Sequence, residues 1–566
     1  MKTKEKNTTQ NTCQLLSANM ASLPKDKRFL KYTFGLGFCL ALSFVTGGML
    51  TNERRTCRTP VELIQMLAIL AVMTFMSAIV TGLLFILLTT LRDGAVKSRS
   101  GRKEYEEPFV FAVYMTVILA CWLPVFLAYY PSVFAYDAEG QLYQVMADDY
   151  STHHPLLHTL FLGVFFRLGD RLPGSYSSGM ALHSVVQMFL MGVILAYVLT
   201  VLYRQKTSWV MRILLLLFYA IFPVNSVLAV STTKDVLFSG LVLLYIVKSD
   251  QRYHEKQEKI KGSDVCFVLL SVLMLLLRNN AVYAWLLCQP FLLYSEGKRG
   301  RLKRYAVLAA ATLLLFGLGS AGIKTAVSAR SGSPREMLSV PLQQMARTRV
   351  MHEEEIDDDM RERLDAYLPS EWVFAAYNPY LADPVKNRAV IHDDPVGLIK
   401  TWIELGTQFP LTYLDAFLDN SIGYWYLGDK SHSTIYGVGM ESGFGYLSTD
   451  NRMMPAGYEI VEHSYLPKLR LFMERLISEN EYQKIPVLPV IFAPAFYWWL
   501  LCLYIVFFLY RREYGMLAPA LFPAAYYLTL LLSPTVLIRY MYPFVICCPM
   551  MLCMAGRDQT EPETEK

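Results

Sequence analysis

The feature that most constrains this chain is a series of apolar runs, each about as long as a membrane is thick. A spanning helix needs about 20 apolar residues, because inside lipid every backbone N–H and C=O group has to bond within its own segment. With 54% hydrophobic residues, 18% charged residues and a mean hydropathy of +0.30, the composition is typical of polytopic membrane proteins. The sequence therefore predicts an all-α polytopic membrane protein with about 12 spans. The runs are 29–50, 62–91, 109–130, 178–203, 209–230, 235–248, 264–278, 281–294, 303–322, 487–510, 514–533 and 535–555.

The polar connections between these runs differ in their Lys and Arg content. The basic ones are RDGAVKSRSGRKEYEEP, YRQKTSW, KSDQRYHEKQEKIKGSD, EGKRGRLKRY and YRREYG. Cytoplasmic loops carry such an excess, so we expect the tails at 1–28 and 556–566 to lie in the cytoplasm. The remaining connections then face outward, and among them TNERRTCRTP departs from the rule by its arginines.

The apolar and polar segments divide the chain into regions. We predict an extra helix hairpin with a basic cytoplasmic loop at 29–108, a transmembrane core at 109–322 and C-terminal transmembrane helices at 487–555. The polar segment 323–486 is predicted to be an extracytoplasmic α-rich insert. The run PLLHTLFLGVFFRLG is too short to span and is predicted to be an interfacial helix, since counting it as a span would turn every later basic loop outward.

Polar residues that are costly at membrane depth, and therefore functional candidates, all fall on the outward side of this topology. They lie at or just beyond helix ends, although they are far apart in the sequence. We expect them to meet around one outward-facing cavity. They are Asp137, Glu139, Gln141, His153, His154, Lys234, Asp235, Arg278, Asn279, Asn280 and Arg539.

Carboxylates beside cationic and amide side chains suit the transfer of a sugar from a lipid phosphate. One carboxylate can remove the proton of an acceptor hydroxyl, while Lys, Arg or protonated His stabilises the departing phosphate. Nucleotide sugars are absent outside the cell, so an enzyme on this face has to draw its donor from the membrane. Neither composition nor motifs indicate nucleic-acid binding.

The stretch YDAEGQLYQVMADDYSTHHPLLHTL resembles the first outer loop of GT-C-fold glycosyltransferases, which include protein O-mannosyltransferases and the aminoarabinose transferase of lipid A. Loops of that group begin with an Asp, often D-E, and end in H-P-P-L or K-P-P-like residues. Asp137 matches the first position, and His153, His154 and Pro155 match the second. Here the D-E pair is D-x-E with Glu139, and a single proline follows the histidines.

Three later segments are similar to further parts of the same family. STTKDVLFSGLVLL is similar to the second outer loop through Asp235, and LLLRNNAVYAWLL to the third through Arg278. LIRYMYPFVICCP is similar to an R-Y-x-x-P motif through Arg539, Tyr540 and Pro543. The hairpin at 29–91 is an addition to the family core, and 323–486 matches neither its sugar-binding nor its MIR-type domains. That insert loosely resembles uncharacterised bacterial members, so a bacterial plasma membrane is the expected location.

The resemblance implies roles for these residues. Asp137 is expected to be the general base, with a pKa raised in a partly dry cavity, and Asp235 a second catalytic carboxylate that orients the base or a substrate. No cofactor is expected. A divalent metal bound by Asp137 and the two histidines is an alternative that no His-x-x-x-His spacing supports. The expected substrate-binding residues are Glu139, Gln141, His153, His154, Lys234, Arg278, Asn279, Arg539 and Tyr540.

Structural explanations for the same residues stay open. Asp137 could cap a helix that begins at Ala138, Lys234 and Asp235 could form a local ion pair, and the arginines could extend to the interface. A transporter or flippase of lipid-linked saccharides, or a non-catalytic protein of envelope assembly, are the alternative functions. The sequence identifies neither the donated sugar nor the acceptor, which could be an envelope glycan, a lipid or a protein.

Overall fold

A computed structural model describes residues 14–97, 105–134, 137–171, 175–255, 259–391, 394–429, 454–477 and 479–555. The predicted C-terminal tail at 556–566 and the first part of the N-terminal tail lie outside these ranges, whereas residues 14–22 are helical. Over the described residues the structure is helical, with isolated β-bridges and no strand.

The first half of the chain supplies the helices of the bundle. They are α1 (Lys27–Glu53), α2 (Pro60–Lys97), α3 (Glu107–Ala128), α4 (Ala138–Ala147), α5 (Leu156–Gly169), α6 (Ser175–Arg204), α7 (Trp209–Ile221), α8 (Pro223–Ala229), α9 (Asp235–His254), α10 (Gly262–Leu276), α11 (Ala281–Lys298) and α12 (Leu302–Ala326).

The second half forms the insert and then returns to the bundle. Its helices are α13 (Ser339–His352), α14 (Asp358–Tyr367), α15 (Ser370–Ala376), α16 (Asp383–Arg388), α17 (Pro395–Gln408), α18 (Pro410–Trp425), α19 (Pro467–Ile477), α20 (Leu488–Phe492), α21 (Pro494–Arg511), α22 (Ala518–Leu530) and α23 (Ile538–Ala555).

Seven helices in the described residues, α1, α2, α3, α6, α12, α21 and α23, are long and apolar enough to cross a membrane. The pair α7 and α8 also qualifies if it is taken as one span bent by 51°, with Pro223 at the start of the second helix. The chain is therefore an all-α membrane protein. The predicted segments at 235–248, 264–278, 281–294 and 514–533 are helices too, but α10 and α22 have only 15 and 13 residues. The count of about 12 spans stays a prediction.

The ends of the bundle helices gather in two layers. In one layer, ion pairs join the basic connections to each other: Arg92 to Glu513 at 2.8 Å, and Arg204 to Glu107 at 2.6 Å. In the other layer, the Asn420 amide donates to the Ser533 carbonyl at 2.8 Å. These ion pairs bring three of the basic connections into one layer, while the alternation of all the connections and the side that faces the cytoplasm stay predictions.

The N-terminal hairpin packs closely because of a glycine. A Cβ atom at Gly37 on α1 would lie 2.6 Å from the backbone nitrogen of Ala78 on α2, closer than side chains tolerate. Asp26 begins the hairpin by accepting the backbone N–H of Arg28 at 2.8 Å, which satisfies a group that the first turn leaves unpaired. We infer that larger residues at position 37 would separate the two helices.

The insert has a hydrophobic core of its own between α13 and α18. Leu342, Met345, Leu364, Val373 and Leu405 are buried together there. The buried Arg347 on α13 pairs with Asp419 on α18 at 2.5 Å and donates to the backbone carbonyl of Arg54. The insert is therefore anchored on the turn between α1 and α2, at the layer opposite the basic connections.

Candidate functional site

The ends of segments far apart in the sequence place six ionisable side chains in one group. We call Asp137, His154, Lys234, Asp235, Arg278 and Arg539 the charged cluster. Asp137 precedes α4, His154 precedes α5, Lys234 and Asp235 begin α9, Arg278 lies between α10 and α11, and Arg539 lies in the first turn of α23. The predicted convergence of these residues is therefore observed.

Asp137 joins two cations through one carboxylate oxygen. Its Oδ2 atom lies 2.7 Å from Nζ of Lys234 and 3.2 Å from Nη1 of Arg539. Although Asp137 occupies the N-cap position of α4, its side chain makes no capping hydrogen bond. The helix-cap explanation of Asp137 is therefore wrong for this structure. Its side chain keeps 30% of its surface exposed, whereas Arg539 keeps 6%.

The second carboxylate, Asp235, is enclosed. It is 1% exposed, forms an ion pair with Arg278 and lies 3.6 Å from Nη1 of Arg539. The Thr233 hydroxyl donates to it at 2.9 Å. Asp235 is therefore enclosed by its own partners, and its expected role as a second catalytic carboxylate stays a prediction.

The loop that carries Lys234 is held by backbone and amide hydrogen bonds. The Val133 N–H donates to the Val230 carbonyl, and the Thr232 N–H donates to the Val133 carbonyl, each at 3.1 Å. The buried Gln187 of α6 donates its amide to the carbonyl of Ser231 at 2.7 Å. These contacts bring the loop after α8 beside the segment that leads to Asp137.

Tyr540 contacts both arginines of the cluster. The guanidinium groups of Arg278 and Arg539 lie 4.9 and 4.8 Å from the centre of its ring, within cation–π distance. Arg278 also donates from Nε to the side-chain oxygen of Asn280 at 3.1 Å. One aromatic ring therefore contacts both positive charges.

The two predicted histidines have different surroundings. His154 is buried, with Nδ1 3.1 Å from Nζ of Lys234 and 4.0 Å from Asp137. His153 keeps 44% of its side chain exposed and lies 3.9 Å from Glu336 of the insert. The Asn279 amide donates to the carbonyls of Thr152 and His153 at 3.1 and 3.2 Å. Asn279 therefore holds the histidine loop in place.

Two predicted substrate-binding residues lie inside the protein on α4. Gln141 is 1% exposed, donates to Thr159 at 2.9 Å and lies 3.2 Å from Nδ1 of His158. Glu139 is 6% exposed. These positions favour a role for Gln141 in joining α4 to α5, and substrate contact by either residue stays a prediction.

The electrostatics of the cluster correct one expectation. Burial raises the pKa of Asp137, but the charges of Lys234 and Arg539 outweigh it and hold this pKa well below its ordinary value. The expected rise of the Asp137 pKa is therefore wrong for this arrangement, because the sequence did not reveal two cations on one carboxylate. Burial, aided by Lys234, lowers the pKa of His154 to about 3. Burial also lowers the pKa of Lys234, against the opposing effect of Asp137.

These protonation states leave the cluster with an excess of positive charge. Lys234, Arg278 and Arg539 face Asp137 and Asp235, while His154 is neutral at physiological pH. A cluster with one positive charge in excess and a partly exposed carboxylate suits a phosphate-bearing ligand next to a hydroxyl. Among the residues that the structure describes, no group of three or more His, Cys, Asp or Glu side chains is placed to hold a metal ion.

Sequence reasoning missed several contributors. Thr233 bonds Asp235 and lies 3.4 Å from Arg539, and its place beside Lys234 was the available signal. The ring centre of Tyr526 lies 6.0 Å from the guanidinium carbon of Arg278. In the sequence, Tyr526 does not differ from other aromatic residues of an apolar run. Glu336 of the insert, paired with Lys386 at 2.8 Å, reaches His153 only through the tertiary fold.

Comparison with known protein families gives a match over most of the chain. Residues 146–566 match the profile of a family of unknown function, DUF6020, and the chain belongs to this family. No curated protein and no solved structure matches the sequence. The matched region contains every member of the charged cluster except Asp137, which lies before its first residue.

Proposed function

We propose that this member of the DUF6020 family is a glycosyltransferase that moves a sugar from a polyprenyl-phosphate donor to an acceptor on the outer face of the plasma membrane. The charged cluster carries the proposal: a partly exposed carboxylate lies among cations at one end of a membrane helix bundle. Cations there can receive the donor phosphate, and the carboxylate can receive a proton. The acceptor is an envelope glycan, a lipid or a protein.

Donor binding would change the state of Asp137. The phosphodiester of the donor, when it enters the cluster, competes for Lys234 and Arg539, since both donate charge-assisted hydrogen bonds that its anionic oxygens accept. Asp137 would then lose the charges that hold its pKa down, while burial, which raises the pKa, would remain. The carboxylate would become a stronger base once the donor is in place.

The chemical step follows from these positions. Asp137 takes the proton of the acceptor hydroxyl as the acceptor oxygen forms a bond to the anomeric carbon of the sugar. The bond from that carbon to the phosphate oxygen breaks, its electron pair stays on the phosphate, and the configuration inverts. Lys234 and Arg539 stabilise the released phosphate. Asp235 is a positioning residue that fixes Arg278 and Arg539 and does not itself face the acceptor.

A transporter is favoured by one observation, the bend of 51° between α7 and α8. Transporters place polar substrate-binding groups at such breaks near the middle of the membrane. The sequence around this break, LFYAIFPVNSVLAV, contains no charged residue. The acid and base residues instead gather beyond α8, at the ends of the helices, as a transfer reaction at the membrane surface requires.

The direct test is mass spectrometry of envelope glycans from cells with and without the gene. We expect a sugar residue to be missing from one glycan, lipid or protein fraction of the deletion strain and to return with the wild-type gene. Accumulation of the corresponding lipid-phosphate sugar should accompany the loss. Identical glycan, lipid and protein fractions in the two strains would contradict the proposal.

Replacement of Lys234 by Met should weaken donor binding. A hydrogen bond to a charged group contributes about 1.5–3 kcal/mol, so the KM for the donor should rise by about 10- to 100-fold. Initial rates against donor concentration in nanodiscs measure the change, with Lys400→Met, on the exposed side of α17, as the matched control. Lys234→Arg should recover part of the loss. An unchanged donor KM in Lys234→Met would exclude contact with the phosphate.

A further inference from the structure

The helix α19, far from the charged cluster in sequence, has two different faces. Met473, Leu476 and Ile477 are buried. Leu471 and Phe472 on the other face are 47% and 58% exposed, and Lys468 and Arg475 are exposed beside them. Positions 468, 471, 472 and 475 follow helical spacing and form one stripe. The stripe has an apolar centre and a cation at each end.

Hydrogen bonds fix the position of α19 at the end of a membrane helix. The N–H groups of His463 and Tyr465 donate to the carbonyls of Tyr130 and Leu127 at 2.8 and 2.9 Å. Leu127 lies in the last turn of α3, one of the helices able to span the membrane. The chain therefore enters α19 at the level where α3 ends.

The neighbouring side chains reinforce this placement. Arg470, on the inner side of α19, pairs with Glu462 at 2.5 Å and Glu474 at 2.8 Å and lies over the Tyr129 ring at 5.5 Å. After α19 the chain exposes Ile485 and Val487, at 45% and 66%, before the spanning helix α21 begins. Apolar surface therefore continues from α19 toward a second membrane helix.

We propose that α19 lies in the membrane interface and binds anionic phospholipid. Leu471 and Phe472 enter the boundary between headgroups and acyl chains, and Lys468 and Arg475 contact lipid phosphates. Amphipathic helices with cations beside an apolar face bind such surfaces through both effects. The contact to α3 makes the lipid surface, and not a soluble partner, the occupant of this stripe.

Photo-crosslinking tests the proposal with the intact protein in nanodiscs. Phosphatidylglycerol or phosphatidylcholine with a diazirine on the acyl chain is activated, and labelled peptides are identified by mass spectrometry. We expect label on the peptide of residues 467–477, with preference for phosphatidylglycerol. Labelled peptides of α3 are the internal reference in every sample.

Two double variants separate the apolar and charged contributions. Leu471→Gln with Phe472→Gln should remove most label from α19 with either lipid. Lys468→Gln with Arg475→Gln should remove the preference for phosphatidylglycerol, by about fivefold for each cation. Met337→Gln and Lys400→Gln, at exposed positions of the insert, should leave the label unchanged.

Other outcomes overturn the proposal. An unlabelled α19 peptide beside labelled α3 peptides in the wild-type protein would place α19 away from lipid, whatever the variants do. Label that persists unchanged in both double variants would show that the stripe is not the contact. A protein cross-link from α19 to a second copy of the chain, without lipid label, would assign the stripe to an interface between copies.

Discussion

Replacement of Asp137 by Asn is expected to lower glycosyl transfer by about 10²- to 10⁴-fold, the usual contribution of a general base. The amide keeps the shape of the carboxylate but cannot accept the proton of the acceptor hydroxyl. Asp137 is 30% exposed, so the protein should stay folded. Transfer from a synthetic polyprenyl-phosphate sugar by purified protein in nanodiscs measures the effect.

Asp148→Asn is the matched control for this variant. Asp148 is an exposed residue at the end of the same helix α4, with a left-handed backbone conformation that Asn also adopts readily. The Asp148→Asn protein should transfer sugar at the wild-type rate. If Asp137→Asn and Asp137→Ala were both inserted normally and both transferred sugar at the wild-type rate, Asp137 would not be the base.

The pH dependence gives a second readout of the same residue. In the free enzyme, cations hold the pKa of Asp137 well below its ordinary value, so the carboxylate stays ionised as the pH falls from neutral to about 5. Protonation of Asp137 should therefore not lower kcat/KM over that range, since kcat/KM reports the free enzyme. With the donor bound, the pKa should rise, and kcat should fall at a higher pH than kcat/KM. An acid limb at the same pH in both profiles would argue against competition between phosphate and Asp137.

Replacement of Asp264 by Ala is expected to lower the free energy of unfolding by about 3–5 kcal/mol. The protein that remains folded should still transfer sugar, in contrast to Asp137→Asn. Asp264 is fully buried in the layer of basic connections, where it lies in the first turn of α10. Its two oxygens accept from Nη2 of Arg304 on α12, each at 2.8 Å, and it also pairs with Arg252 on α9. Its removal would leave buried arginines without their partner.

Thermal unfolding in detergent, followed by intrinsic fluorescence, measures this loss as a lower midpoint temperature. Asp358→Ala, on the surface of the insert with a 98% exposed side chain, should change the midpoint little, because exposed ion pairs contribute about 0–1 kcal/mol. Adding Arg304→Met to Asp264→Ala should restore part of the stability, since one buried charge then disappears. An unchanged midpoint in Asp264→Ala would show that water or other groups compensate the arginines.

The two carboxylates differ in their burial, which the sequence did not predict. Both lie at or just before the start of a helix, and this local pattern does not show whether other helices enclose the side chain. Asp137 keeps exposed surface beside two cations, whereas Asp264 is enclosed by its partners. Burial depends on which helices pack over each residue, and that information is not local.

The sequence by itself determined the membrane class and the positions of the apolar helices. Hydropathy and charge bias act over about 20 neighbouring residues, so they could be read without a fold. Asp137, Lys234, Asp235, Arg278 and Arg539 were predicted to meet because each lies where an apolar run ends. The observed cluster agrees with that prediction.

Only the tertiary structure decided the partners of these residues. Arg539 reaches Asp137 across 402 positions of the chain, and this contact, with that of Lys234, reverses the expected direction of the Asp137 pKa. Packing between helices likewise decides the hydrogen bonds of Gln141, Asn279 and Thr233. It also decides which stripe of α19 is exposed. Side-chain partners and desolvation are set by three-dimensional distance, which a pattern of hydropathy along the chain does not contain.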